Sequence, residues 1–243
     1  MLEFTSSDPF PLIGGSGDRG RVFSYVSEKK HSEQVDAWLG FEIEEIENAL
    51  LGREHGAVLD DIKDKEFWIG RSPQAFMTPY TELRAILKDL SPAPGDVVVD
   101  LGAGYGRMAH VMAAHYSEVS FLGYEYVKPR QKEGLRVLRE HGVHQPYFGE
   151  KPWRDLIWAD VVKLNFCEDV ALRQATHFFI YDFGSIQDVE KCLENLKPRA
   201  RHNEFHLVAR GGRTRNVIER EHPWLSQVVS PLHREHYSIY RSG

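Results

Sequence analysis

Cysteine is scarce: Cys167 and Cys192 are the two in the whole chain. A disulfide framework is excluded, and a reducing compartment is implied. The pair shares no zinc-site spacing, and no metal is expected. Long apolar runs are missing as well. No stretch reaches the roughly 20 residues of a bilayer crossing, and the N-terminus carries no signal-peptide pattern. The expectation is a soluble, cytoplasmic protein with no membrane partner. Excess positive charge is also absent. Thirty Lys and Arg face 36 Asp and Glu, for a net charge of −6. General attraction to nucleic acid is therefore not expected. Internal repeats, low-complexity segments and the G-x-S-x-G elbow of a hydrolase are all lacking.

What the chain has is 243 residues, 42% of them apolar. That suffices for one large α/β domain, or one domain with a helical extension. Its most informative stretch runs from Val97 to Arg107. Three valines lead into Asp100. Gly102, Gly104 and Gly106 follow, and then a helical pattern from Met108 to His115. An apolar run, a glycine turn and an amphipathic helix make the first βα unit of a nucleotide-binding sheet. A dinucleotide fold wants G-x-G-x-x-G. Here the third glycine comes one residue early and a carboxylate ends the strand. An acid repels a pyrophosphate and holds a cation. The alternative is a tight turn with no ligand.

Asp100-x-Gly102-x-Gly104-x-Gly106 resembles motif I of the class I S-adenosylmethionine-dependent methyltransferases. The resemblance implies an α/β, Rossmann-like, seven-stranded methyltransferase sheet with helices on both faces. Residues 74–243 would form that domain, and residues 1–73 an N-terminal extension of loop and helix. S-adenosyl-L-methionine would be the cofactor, with Gly102, Ala103, Gly104 and Gly106 passing under its amino-acid end.

The rest of the chain fills in around this unit. Met1 to Lys30, with Gly14-Gly15-Ser16-Gly17 at its centre, reads as a solvated loop. Val35, Leu39, Ile43, Ile46 and Leu50 fall at helical spacing, with Ser32 as an N-cap and Glu42, Glu44, Glu45 and Glu47 on the remaining faces. Gly40 weakens that helix. Gly70-Arg71-Ser72-Pro73 is a turn. Thr78-Pro79 starts a helix with Leu83, Ile86, Leu87 and Leu90 as its apolar stripe. By the resemblance, Thr78, Tyr80, Thr81 and Glu82 approach the methionine end of the cofactor; plain capping is the alternative for Thr78.

Val119 to Glu125 is the second strand, and Glu125 follows Gly102 by 23 residues. An acid there can accept bonds from both ribose hydroxyls, with Tyr126 beside it. Lys128-Pro129-Arg130 opens the next helix, with Leu135, Val137 and Leu138 inward. After strand three, Asp160 and Val161 match the family's adenine-binding acid and its apolar neighbour, and Asp160 also suits a helix N-cap. His177 to Tyr181 is strand four, leading into Asp182-Phe183-Gly184-Ser185. Asp188 to Leu196 is a helix closing at Lys197-Pro198, Phe205 to Ala209 a fifth strand, and Ser226–Val229 with Tyr237–Tyr240 a terminal hairpin.

Thr78 to Leu83, Asp160-Val161 and Thr176 to Ser185 together resemble the Dot1-type and related small protein lysine methyltransferases. That branch typically carries Asn where this chain has Asp182, and Asp182-Phe183-Gly184 lacks the proline pair of nucleic-acid amino-methyltransferases. The chemistry implied is displacement at a sulfonium methyl by an amine, a lysine above all. Asp182, Phe183, Tyr181, Tyr80 and Phe76 are the candidates to line the acceptor channel. A small-molecule acceptor, a catalytically silent cofactor-binding partner and a nicotinamide oxidoreductase are the competing readings.

Overall fold

The computed structural model describes residues 2–13, 25–53, 72–229 and 236–243. Its centre is a seven-stranded sheet, made of β1 (Val97–Leu101), β2 (Ser120–Glu125), β3 (Arg154–Trp158), β4 (His177–Tyr181), β5 (His206–Arg210), β6 (Leu225–Val229) and β7 (Tyr237–Ser242). The order is β3-β2-β1-β4-β5-β7-β6. The first five strands pair parallel, and β7 runs antiparallel between β5 and β6. The order reverses between β1 and β4, so a crevice opens beyond their carboxyl ends.

Strand parity divides the core. Val97, Val99 and Leu101, with Leu122, Phe178 and Ile180, face one side. That side is covered by α6 (Val170–Gln174), α7 (Ile186–Ala200) and α8 (Gly212–Glu221). Val98, Phe121, Phe179 and Val208 face the other. There they meet α1 (Tyr25–Leu39), α3 (Tyr80–Leu90), α4 (Arg107–His115) and α5 (Lys128–Glu140). Asp100 and Glu125 share the parity of Val98 and Phe121, so both acids point to this second side.

The extension departs from its sequence reading. The helix starts at Tyr25, before the expected end of the loop at Lys30, and it is two helices, α1 and α2 (Ile43–Arg53). Gly40, at φ +76°, divides them. The Phe41 amide donates back to the Asp36 carbonyl at 3.0 Å, an end that only a residue tolerant of positive φ closes cheaply. The apolar spacing carries on across the break, which is why periodicity alone reads one helix. Ser32 is not a cap. It is buried within α1, donates to the Glu28 carbonyl at 2.9 Å and accepts the Tyr80 amide at 3.2 Å. It thereby satisfies the first amide of α3, whose N-cap is Pro79 and not Thr78. The head is not wholly solvated: Phe10 is buried against Tyr80, ring centroids 5.2 Å apart. Gly14 to Gly17 and Gly70-Arg71 lie outside the described residues, while Pro73–Ala75 is one 3-10 turn.

Further along, Lys197-Pro198 does not close the helix, since α7 runs on to Ala200. Helices α6 and α8 stand where the sequence reading has no helix.

Candidate functional site

The cleft beyond β1 and β4 has a volume of about 950 Å³, its open mouth included. Its floor is the glycine turn. Gly102 and Ala103 both donate to the Tyr124 carbonyl, at 2.9 and 3.0 Å, which ties the turn to β2. Gly106, at φ +75°, opens α4; a Cβ there would stand 2.7 Å from the Leu156 side chain. Gly104, at φ +57°, has nothing among the described residues within 4 Å of where its Cβ would be. Its backbone therefore borders open cleft, and a ligand can lie directly against it.

Glu125 braces this turn. One carboxylate oxygen accepts the Gly104 amide at 2.7 Å, and the other the Val127 amide at 2.7 Å. A carboxylate has about four acceptor positions, so two sugar hydroxyls can still be received. Burial raises its pKa, against the opposing pull of the Arg130 guanidinium and these two amides.

Asp100 is buried at the end of β1, and among the described residues its Oδ1 has no hydrogen-bond partner. Burial, with Glu125 nearby, holds its carboxyl well above the usual carboxylate range. An unmet buried acceptor costs about 1–3 kcal/mol, and a ligand ammonium removes that cost. A buried carboxylate with an unmet oxygen, a second carboxylate with acceptor positions to spare and a backbone stripped of Cβ between them suit a ligand like S-adenosylmethionine, which carries both an ammonium and a sugar diol. Asp160 and Val161 line the far part of the cleft with Tyr126. Asp160 accepts the Val162 amide at 3.3 Å, so it caps the 3-10 turn Val161–Lys163 while facing the cleft.

The other wall is Phe76, Met77 and Thr78 opposite Tyr181 and Phe183. The Tyr181 hydroxyl donates to the Ala75 carbonyl at 3.1 Å, joining the two sides.

Four expected residues stand elsewhere. Tyr80 is fully buried, and its hydroxyl donates to Asp36 at 2.9 Å, away from the cleft. Thr81 donates to Glu28 at 2.9 Å, and Glu82 pairs with Arg210 at 2.8 Å. In the first turn of α3 these side chains point to α1 and β5, so of that segment Thr78 lines the cleft. Asp182 is turned the other way. Its carboxylate accepts the Thr214 amide and hydroxyl at 2.8 Å each and the Arg213 amide at 3.3 Å. It caps α8. The Arg213 guanidinium in turn donates to the carbonyls of Asp182, at 2.9 Å, and Gly184, at 3.2 Å, and holds the loop that carries Phe183.

Met77, Tyr105, Arg130 and Asp188 are among the lining residues that the sequence does not assign to the site, as are Leu83, Met108, Val162 and Phe179. Tyr105 and Arg130 had a signal: one sits inside the glycine motif, the other opens the helix after Glu125.

No family model matches the chain. It is 27% identical over 146 residues to a protein-lysine N-methyltransferase of Saccharolobus islandicus, covering 59% of this chain and 83% of that one. Among solved structures it resembles an RNA methyltransferase from Salinibacter ruber in complex with S-adenosyl-L-homocysteine. There the TM-score is 0.48 at 18% identity, over 68% of this chain and 92% of that one. It also resembles a geranyl diphosphate methyltransferase in complex with sinefungin, TM-score 0.46 at 12% identity, over 68% and 78% of the two chains. By its sheet order, its glycine turn between two buried acids and its likeness to the archaeal enzyme, the chain is an S-adenosylmethionine-dependent methyltransferase of the class I fold.

Proposed function

We propose that the protein methylates an amine, the side chain of a lysine in a protein. The aromatic wall carries this reading: Phe76, Tyr181 and Phe183 line the cleft, while the neighbouring Asp182 carboxylate is spent on α8. Bound S-adenosylmethionine supplies a methyl group on a sulfonium, with a thioether to leave. The chain's own task is to align a nucleophile and keep its lone pair free. An apolar, aromatic channel disfavours the ammonium form of lysine and so favours the reactive amine. The archaeal relative supports a protein acceptor.

In this reading Asp100 receives the cofactor ammonium above Gly102, Ala103, Gly104 and Gly106, with Thr78 alongside. Glu125 receives the ribose, with Tyr126 beside it. Asp160 and Val161 receive the adenine. Tyr181 and Phe183 form the acceptor channel. The cytoplasm is the expected location, given the free thiols of Cys167 and Cys192.

The test is transfer of a tritiated methyl group from the cofactor into a lysate split into protein, RNA and small-molecule fractions. Label in protein, released as methyl-lysine on hydrolysis, is the expected result. Label confined to RNA or to the small-molecule filtrate would overturn the acceptor.

A further inference from the structure

Glu47 is the exception in an acidic helix. Glu44 and Glu45 of α2 are exposed, whereas Glu47 is 5% exposed. Its carboxylate receives three donors: Arg130 Nε at 2.8 Å, Arg130 Nη2 at 3.0 Å and the Tyr105 hydroxyl at 2.6 Å. Both partners line the cofactor cleft, and Glu47 itself does not. Tyr105 lies between Gly104 and Gly106 of the turn. Arg130 stands in the first turn of α5, its guanidinium 4.5 Å from the centre of the Phe76 ring on the opposite wall. Ile43, one turn before Glu47, packs with Tyr105 and Met77 in a small apolar cluster over the same wall.

We propose that Glu47 is a positioning residue for the cofactor: through it, α2 clamps the glycine turn by Tyr105 and the Phe76 wall by Arg130, in the shape that binds S-adenosylmethionine. The inference rests on the cofactor assignment and is independent of the acceptor. Its physical basis is competition for one guanidinium. Arg130 acts electrostatically on Glu125 as well. Deprived of Glu47, it swings toward the Glu125 carboxylate. Glu125 then trades its Gly104 amide for a salt bridge, and the turn loses its brace. The clamp also gives the extension a task that does not require contact with the ligand.

Glu133 supplies the control. It is buried on α5, accepts the Glu42 amide at 2.7 Å and pairs with Arg136 at 2.6 Å. It too fastens α2 to the domain, but these partners do not line the cleft.

The experiment is a calorimetric titration of the full chain with S-adenosylhomocysteine, for wild type, Glu47→Gln, Tyr105→Phe and Glu133→Gln. Each is measured well below its own unfolding midpoint. Glu47→Gln is expected to weaken Kd by about tenfold or more. Tyr105→Phe, which removes only the hydroxyl, weakens it several-fold. Glu133→Gln lowers the unfolding midpoint but leaves Kd within about twofold of wild type. A wild-type Kd in folded Glu47→Gln overturns the clamp, as does an equal loss in Glu133→Gln, which reports only the docking of α2. If Glu47→Gln does not fold, a wild-type Kd in Tyr105→Phe overturns it. A wild type that gives no binding overturns the cofactor assignment itself, and the clamp with it.

Discussion

The Glu125 carboxylate accepts the Gly104 amide at 2.7 Å, so the acid proposed to hold a ribose also fixes the turn proposed to lie beneath the cofactor. Two functions are therefore lost together when it is replaced. Glu125→Ala is expected to weaken cofactor binding by about 1–3 kcal/mol, the cost of a buried charged hydrogen-bond partner. Glu125→Gln should not rescue it, because the Gln amide nitrogen must face either the Gly104 or the Val127 N–H. Calorimetry on the two variants checks this; a Gln variant with wild-type affinity would show that only the ribose contact matters.

The buried, unmet carboxylate of Asp100 costs the ligand-free protein stability. Burial, with Glu125 beside it, raises its pKa well above the usual range. The folded state thus keeps that proton to a higher pH than the unfolded chain does. The stability it contributes is full below the unfolded value near 3.9. It is lost as pH rises through the folded value. At neutral pH the Asp100→Asn variant, which carries no charge, should melt no lower than wild type without ligand. Its thermal shift with S-adenosylhomocysteine should be smaller by an amount equivalent to about 1–3 kcal/mol of binding. Differential scanning calorimetry with and without ligand reads both. A ligand shift as large as in wild type would remove the ammonium from Asp100.

Asp182→Ala is expected to be a stability variant. It strips α8 of a cap made of three hydrogen bonds, worth about 1–2 kcal/mol. Denaturant unfolding should show that loss, while affinity for S-adenosylhomocysteine stays within about twofold, since the carboxylate does not line the cleft. A tenfold weaker Kd at unchanged stability would return Asp182 to the site.

These cases show which parts of the molecule the sequence reveals. The β1 unit is legible because its information is local: three valines, an acid and three glycines in ten residues specify strand, turn and helix start. The position of Glu125 at the end of β2 is legible because the strand has a fixed period and pairs with β1, so both acids fall on one side of the sheet. Asp182 and Tyr80 are misread for the opposite reason. Their partners, Thr214 and Asp36, lie 32 and 44 residues away. Which way a side chain turns at a strand end depends on which helix N-terminus arrives beside it. Glu47 is similar. It occupies the apolar stripe, four residues after Ile43 and three before Leu50, but Arg130 is 83 residues distant. Only the folded chain shows the charge that permits its burial.

In the proposed site S-adenosylmethionine lies on the backbone at Gly104. The direct measurement is a calorimetric titration of wild type and Gly104→Asp with S-adenosylmethionine, with circular dichroism on both. There is room for a side chain, since among the described residues nothing lies within 4 Å of the Cβ position; the φ of +57° strains any L residue there, and Asp is among those that bear positive φ at least cost. Wild type is expected to bind stoichiometrically, and a Gly104→Asp variant that remains folded not at all. Binding of equal strength in both, or none by folded wild type, would contradict that placement.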